Sequence, residues 1–434
     1  MSLNAATVWE VRTTGAATNG GGFYNRTPGT SVDYSQQDAA QLAPTNLYRV
    51  AANSLYSDSF VFTAAMVGNI IYIASGTHFT AGYYEITART DNTHVTLDRD
   101  PASEDTSAHK DGVGKVGGAT NHPQTIAAVL IEGNKIYIKS GTYQPVGANA
   151  YVLSTAAEAY PGRIFWIGYD TSRTATPTGT NRPLFDANTQ ANGLIIGQWG
   201  NVFANIRIDN STDDGVTCTV TGFVMFNCKI SNSGDNGINA SSTIPFLINC
   251  EITLCSDRGV VTSNYAQITN CYIHDNTGQA VDVGSAITSI FHSIADTNIG
   301  SGFDSTGDGG CGICAVNSVA YNNSGATSDG FVYAGGDDYL TRPSGIINCS
   351  SISNGRYAFN ASRGANDNLF FDYNNYYGHA TELNNITAGN NDTGDDDPEF
   401  TAAADGDFTL GATSPLLDKG ASVSSPSTGV TGTY

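Results

Sequence analysis

Asp213 and Asp214, adjacent in Ser211-Thr212-Asp213-Asp214-Gly215, are the residues whose types best suit acid–base chemistry. Paired carboxylates can protonate a leaving oxygen and activate water, the chemistry of sugar-chain hydrolysis. The same run is also ordinary corner chemistry, because Asp before Gly suits a chain reversal, and the corner reading is the preferred one. Three further acidic clusters offer oxygen ligands to a cation: Asp304 with Asp308, Asp337 with Asp338, and Asp395 to Asp397. Calcium is the cofactor they would suit. None has the spacing of a known calcium loop, so solvated turns are expected and no cofactor is required. Cys311-Gly312-Ile313-Cys314 has the spacing of half a zinc site or a redox pair. No second pair and no suitable His accompanies it.

Those residues lie within a repeat. Asn205-Ile206-Arg207-Ile208 returns as Asn227-Cys228-Lys229-Ile230, Asn249-Cys250-Glu251-Ile252 and Asn270-Cys271-Tyr272-Ile273, at spacings of 22, 22 and 21. A degenerate copy, Phe291-His292-Ser293-Ile294, follows, then Asn317-Ser318 and Asn348-Cys349. Most copies are followed by a polar corner and a Gly with an apolar residue, as in Asp214-Gly215-Val216 and Asn236-Gly237-Ile238. Such periods, with short alternating strands and Gly/Asn corners, predict a parallel β-solenoid. Alternation places Cys228, Cys250 and Cys271 inside with Ile230, Ile252 and Ile273, and Lys229, Glu251 and Tyr272 outside. The thiols then form a buried stack with His292 and Cys349, in which Cys acts as a small hydrophobe. His292 reads as a satisfied core residue. Asn205, Asn227, Asn249 and Asn270 fall where the chain turns and could form a hydrogen-bonded ladder. No 3.6-residue period supports a helical solenoid.

The series resembles the right-handed parallel β-helix superfamily of pectate lyases, polygalacturonases and bacteriophage tailspikes. The resemblance implies an all-β fold: a right-handed single-stranded parallel β-helix with a small N-terminal β module and a short capping helix. The opening, Val8-Trp9-Glu10-Val11 with Gly20-Gly21-Gly22-Phe23, resembles bacteriophage virion proteins of the β-helix type. The catalytic motifs of the enzyme families are broken. No Gly-His-Gly follows Asp213 and Asp214, Arg207-Ile208 continues into Asp209, and Trp166-Ile167 runs into Gly168-Tyr169.

The elements divide as follows. Residues 1–59 read as a Gly-rich attachment segment, 60–120 as a small β module, 121–415 as the coil of roughly ten turns, and 416–434 as a tail. The run Pro123–Leu130 is the best short helix. Nineteen basic against forty acidic residues give a net charge of −21, which opposes electrostatic binding of nucleic acid. No apolar run is long enough for a membrane span, and Met1-Ser2-Leu3-Asn4 does not read as a leader. Together these lead to the expectation of a virion structural protein, a tail fibre, spike or capsid decoration, located on the particle. It would attach to other virion proteins through the N-terminal region and present the coil to a host surface glycan. A homo-oligomer, trimeric for a fibre or spike, is expected. The alternatives are a polysaccharide lyase or glycoside hydrolase on the same coil, and a cellular surface adhesin.

Overall fold

The structure is a computed structural model. It describes residues 3–145, 151–152, 163–219, 222–241, 243–284, 287–305, 312–333, 344–362, 369–421, 423–424 and 431–432. Strands dominate, and among the described residues one short α-helix is found, Pro123–Ala127. It begins at His122, whose Nδ1 accepts from the Gln124 amide at 3.1 Å, and Pro123 takes the first helical position, where no amide proton is needed. The helix stops at Ala127 rather than running to Leu130.

The chain divides into two compact units. One comprises Met1–Gly147, Val152–Phe185 and Gln198–Ile206; the other comprises Ala148–Tyr151, Asp186–Gly197 and Arg207–Tyr434. In the first unit a six-stranded antiparallel sheet runs from Leu47–Tyr48 to Val113–Val116. Its core is Leu47, Leu55, Phe62, Ile71, Ile73, Ile86 and Val95, all fully buried. Within it Gly82–Arg89 pairs antiparallel with both Ile70–Ser75 and His94–Leu97. Val8–Val11 is a strand within residues 1–59. It pairs in parallel with Lys135–Lys139, which pairs with Ile164–Tyr169. Trp9, fully buried, explains this: its indole donates to Asn134 Oδ1 at 3.4 Å.

The second unit is built from three parallel sheets, one strand of each per turn. The first sheet runs from Phe223–Phe226 to Leu369–Asp372, the second from Arg207–Asp209 to Asn375–Tyr377, and the third from Leu194–Ile196 to Thr381–Asn384. The result is a right-handed parallel β-helix of about seven turns. Successive inward residues stack on themselves. Phe303, Phe331 and Phe359 lie with ring centroids 5.0 Å apart along the third sheet. Gly237 precedes that sheet because the corner is closed. A Cβ there would meet Gly259 O at 2.6 Å and Ile252 Cγ2 at 2.5 Å.

Each turn contains two left-handed residues. The first series is Asn227, Asn249, Asn270, His292, Asn317, Asn348 and Tyr373, with φ between 51° and 60°. Asn tolerates this conformation best among non-glycine residues, which accounts for the Asn repeat. Asn205, at φ 61°, has the same conformation in the first unit, where its Nδ2 donates to Gly168 O at 3.2 Å. One bond of the expected ladder along this series is seen between successive turns. Asn270 Nδ2 donates to Asn249 Oδ1 at 2.7 Å, and both residues are exposed.

The inward stack requires one correction. Cys228, Cys250, Cys271 and Cys349 are buried, but His292 is exposed. His292 occupies the left-handed position, and Ser293, fully buried, follows Cys271 in the stack. The frame is given by strand register, in which Tyr272 faces Ile294 and Ile273 faces Ala295. Aligning Ile294 with Ile273 therefore placed the repeat one residue early. Ile294 is half-buried on the outer side and the small Ala295 fills the interior.

A stronger ladder forms after the second left-handed residue of each turn. Asn276 Nδ2 donates to Asn298 Oδ1 at 2.9 Å, Asn298 to Asn323 at 2.9 Å, and Asn323 to Asn354 at 2.7 Å. The same oxygens accept backbone amides of the preceding turn at 3.0 to 3.1 Å. All four residues are buried. Asn298→Ala should therefore strand donors and acceptors on both neighbours. The expected cost is about 2–5 kcal/mol, from roughly 1–3 kcal/mol per stranded group, read as a shift in denaturant midpoint. Asn249→Gly, which keeps the left-handed backbone at an exposed position, should be close to neutral.

Candidate functional site

The corners before the third sheet collect the carboxylates. Asp213 and Asp214 occupy one corner and Asp235 the next; one oxygen from each lies within 4.8 Å of the others. Asp213 is exposed, Asp235 half-buried and Asp214 buried. Asp214 is saturated with donors. Its Oδ1 accepts from Asn236 Nδ2 at 2.9 Å, and its Oδ2 from Asn239 Nδ2 at 2.9 Å and Thr217 Oγ1 at 3.1 Å. Burial raises the pKa of Asp235, and the charges of Asp214, Asp257 and Asp213 raise it further, against the opposing effect of Arg258.

The same device recurs at Asp329, which also precedes a Gly and is fully buried. Its oxygens accept from Arg356 Nε at 2.9 Å, Arg356 Nη2 at 2.7 Å, the Tyr357 amide at 3.1 Å and Asn360 Nδ2 at 2.7 Å. Both Asp residues bind an Asn on the outer side of the following third-sheet strand. Their role is to fasten one turn to the next. A calcium ion would need roughly six to eight oxygens, and Asp214 offers none without giving up amide donors. The corner is a poor match for that ion.

The other acidic candidates fare similarly. Asp304 is buried beside Asp282 on the third sheet, and Asp282 lies 3.1 Å from Arg258 Nε. Asp308, Asp337, Asp338 and Cys311 lie outside the described residues. At Asp395 to Asp397 the groups serve turns: Asp395 is left-handed at φ 63°, and Asp397 Oδ1 accepts the Glu399 amide at 2.9 Å. Among the described residues all seven cysteines are free thiols. Burial pushes Cys349 up to about 12 and Cys255 up to about 11, so neither is a nucleophile at neutral pH.

A cluster not singled out from the sequence lies on the outer side of the second sheet. Lys229 Nζ meets Glu251 Oε1 at 2.7 Å. His274 Nε2 stands 3.4 Å from the same oxygen without a formed hydrogen bond, and its Nδ1 lies 2.8 Å from Asp275 Oδ2. The Tyr272 ring stacks on His274 at 4.0 Å, and its hydroxyl donates to Asp296 Oδ2 at 2.7 Å. The signal was available in the sequence, since Lys229, Glu251 and Tyr272 share the outward position of successive repeats. The column that holds His274 lies two residues further along the same strands. The hairpin of Phe400–Ala402 and Asp407–Leu410 lies over the same side, with Phe408 edge-on to Tyr272 and Tyr321. It packs outside the coil instead of adding a closing turn. A cleft of about 260 Å³ remains beneath it, lined by Val319, Ser350, Asn375, Phe400 and Leu410.

No protein-family model and no curated protein sequence matches the chain. Solved structures do. A pectate lyase, Pel9A, superposes with a TM-score of 0.55 at 15% identity, over 70% of this chain and 88% of that one. The fold is a pectate-lyase-like parallel β-helix. The A-module of mannuronan C-5 epimerase AlgE6 from Azotobacter vinelandii follows at a TM-score of 0.31 and 13% identity, over 63% of this chain and 86% of that one. The tailspike protein gp49 of Pseudomonas phage LKA1 follows at 0.29 and 14%, over 82% and 64%. Scores that low bear on neither activity nor partner, and the pectate lyase likeness establishes the fold alone.

The cluster on the second sheet makes a pH prediction. Glu251 is held down at about 2 by His274, with burial opposing and Lys229 adding to the effect. Burial disfavours the charged form of His274, yet Glu251 and Asp275 raise its pKa above the ordinary value. A lowered carboxylate stabilises above its unfolded pKa and loses that contribution as pH falls toward 2; a raised His stabilises below its unfolded pKa and loses it as pH rises. Glu251→Gln should therefore lower Tm most between about pH 4.5 and pH 6.5. The gap from the unmodified chain should narrow on both sides of that window in thermal scans.

Proposed function

We propose that this chain is a structural component of a bacteriophage particle, a tail fibre, spike or capsid decoration, that carries a rigid β-helix for attachment to a surface glycan. The observation behind this reading is the use made of the corner carboxylates. Asp214 and Asp329 spend their oxygens on amides of the following turn, so the acidic residues serve the coil as construction. The resemblance of the opening residues to virion proteins agrees with it. Tyr residues are numerous, at twenty-two against six Lys, and aromatic faces suit contact with sugar rings. The other virion proteins are its partners in this reading.

A second reading, a polysaccharide-cleaving enzyme, is favoured by one observation. Asp235 has a raised pKa and an oxygen within 4.8 Å of one on exposed Asp213. A pair of neighbouring carboxyl groups is the residue type that glycoside hydrolysis uses.

Incubating the purified chain with pectin, alginate and bacterial capsular polysaccharides, with and without calcium, separates the two. The structural reading expects retention of a glycan without shortening of the polymer. Depolymerisation lost in both Asp213→Ala and Asp235→Asn, with folding retained by circular dichroism, would install the enzyme reading in its place.

A further inference from the structure

The charged residues of the second unit are spread unevenly over its sides. The outer side of the second sheet carries Lys229, Glu251, His274 and Asp296, and the corners before the third carry Asp213, Asp235, Asp257 and Arg258. The outer side of the first sheet differs. From Phe223–Phe226 to Ser344–Ile347, register puts Phe226, Ile248, Thr269, Phe291, Val316 and Ile347 in one outward column. The neighbouring column runs Val224, Phe246, Gln267, Ser289, Cys314 and Gly345. Neither holds a charge until Asp372 on the last strand. Phe226 is 40% exposed, Phe246 38% and Phe370 58%.

We infer that this uncharged side is where a second copy of the chain packs. An outward strand face normally carries polar residues, and runs of exposed aromatic and β-branched side chains mark contact sites. Charge selects the occupant. Two copies of so acidic a chain repel wherever their corners approach, and this side lets them meet without bringing carboxylates together. A basic partner would instead seek the corners. The contact area sets the strength. Six strands at about 4.8 Å spacing and four residues at about 3.3 Å give a strip of roughly 29 by 13 Å. That is about 400 Å², half of the roughly 800 Å² each partner gives to a standard interface. Association is therefore reversible and concentration-dependent. The inference is independent of whether the coil is a virion component or an enzyme.

The test is sedimentation equilibrium of the full chain over a wide concentration range. The unmodified chain should self-associate, and the double variant Phe246→Glu/Phe291→Glu should weaken association at least tenfold. Val319→Glu, on the outer side of the second sheet, should leave it unchanged. Cys314 gives a readout that needs no variant. It is the one thiol on this side among the described residues and is only half-buried, so its alkylation rate, read by peptide mapping, should fall as concentration rises. A chain that stays monomeric throughout, association that survives the double variant, or a Cys314 rate independent of concentration would each overturn the inference.

Discussion

A coil of parallel strands depends on satisfying backbone groups at its corners, where no strand partner exists. The amide ladder of Asn276, Asn298, Asn323 and Asn354 does this. Each carboxamide accepts from the turn before, those of Asn276, Asn298 and Asn323 donate to the turn after, and an Nδ2 also reaches a carbonyl such as Ile273 O, Ala295 O or Ala320 O at 3.0 to 3.1 Å. Buried polar groups left alone cost free energy, whereas a fully connected row rigidifies the structure. The ladder therefore fixes the pitch of the coil as well as holding it. Left-handed residues immediately before each ladder position, such as Asp275, Thr297, Asn322 and Ser353, aim the side chain inward.

Acidic residues follow the same logic one corner further on. A coil needs acceptors that reach across a turn, and a carboxylate with two oxygens serves several donors at once. Asp329 takes four hydrogen bonds from three residues of the next turn. An acidic composition is thus partly a consequence of corner construction. It also means that proximity of carboxylates is weak evidence for catalysis in this fold. Asp235 stands apart because repulsion from its neighbours, added to burial, alters its proton affinity.

The repeat was legible because backbone strain selects residue type. A left-handed residue at every corner is most easily Asn, so Asn227, Asn249 and Asn270 announced the period and the inward Cys residues followed by alternation. The reading slipped where that selection relaxed. At His292 the left-handed site accepts another side chain, and the frame moved by one residue until strand register restored it. Asn276, Asn298 and Asn323 form the better ladder, yet they were hidden. Their turn predecessors Cys255 and Ser233 are not Asn, so no column of like residues begins there. Val8–Val11 was readable as a strand but not as a member of the coil, since a partner more than a hundred residues away leaves no local pattern.

Function was less legible than fold, and for a physical reason. Every inward position is committed to stacking and nearly every corner to turn chemistry, so the residues carrying the period carry no information about ligands. That information lies in outward positions, whose types are free to vary from turn to turn. Their pattern is the one in which Lys229, Glu251, His274 and Asp296 share one sheet while Phe226, Ile248, Phe291 and Val316 share another. Sorting side chains by sheet and direction separates a charged wall from a bare one within the same acidic coil. Neither wall is required by the fold, since a β-helix closes equally well with neutral polar residues at all these positions. The charged column contributes to stability through its ion pairs, so the uncharged columns are the part of this chain through which selection for binding can be read.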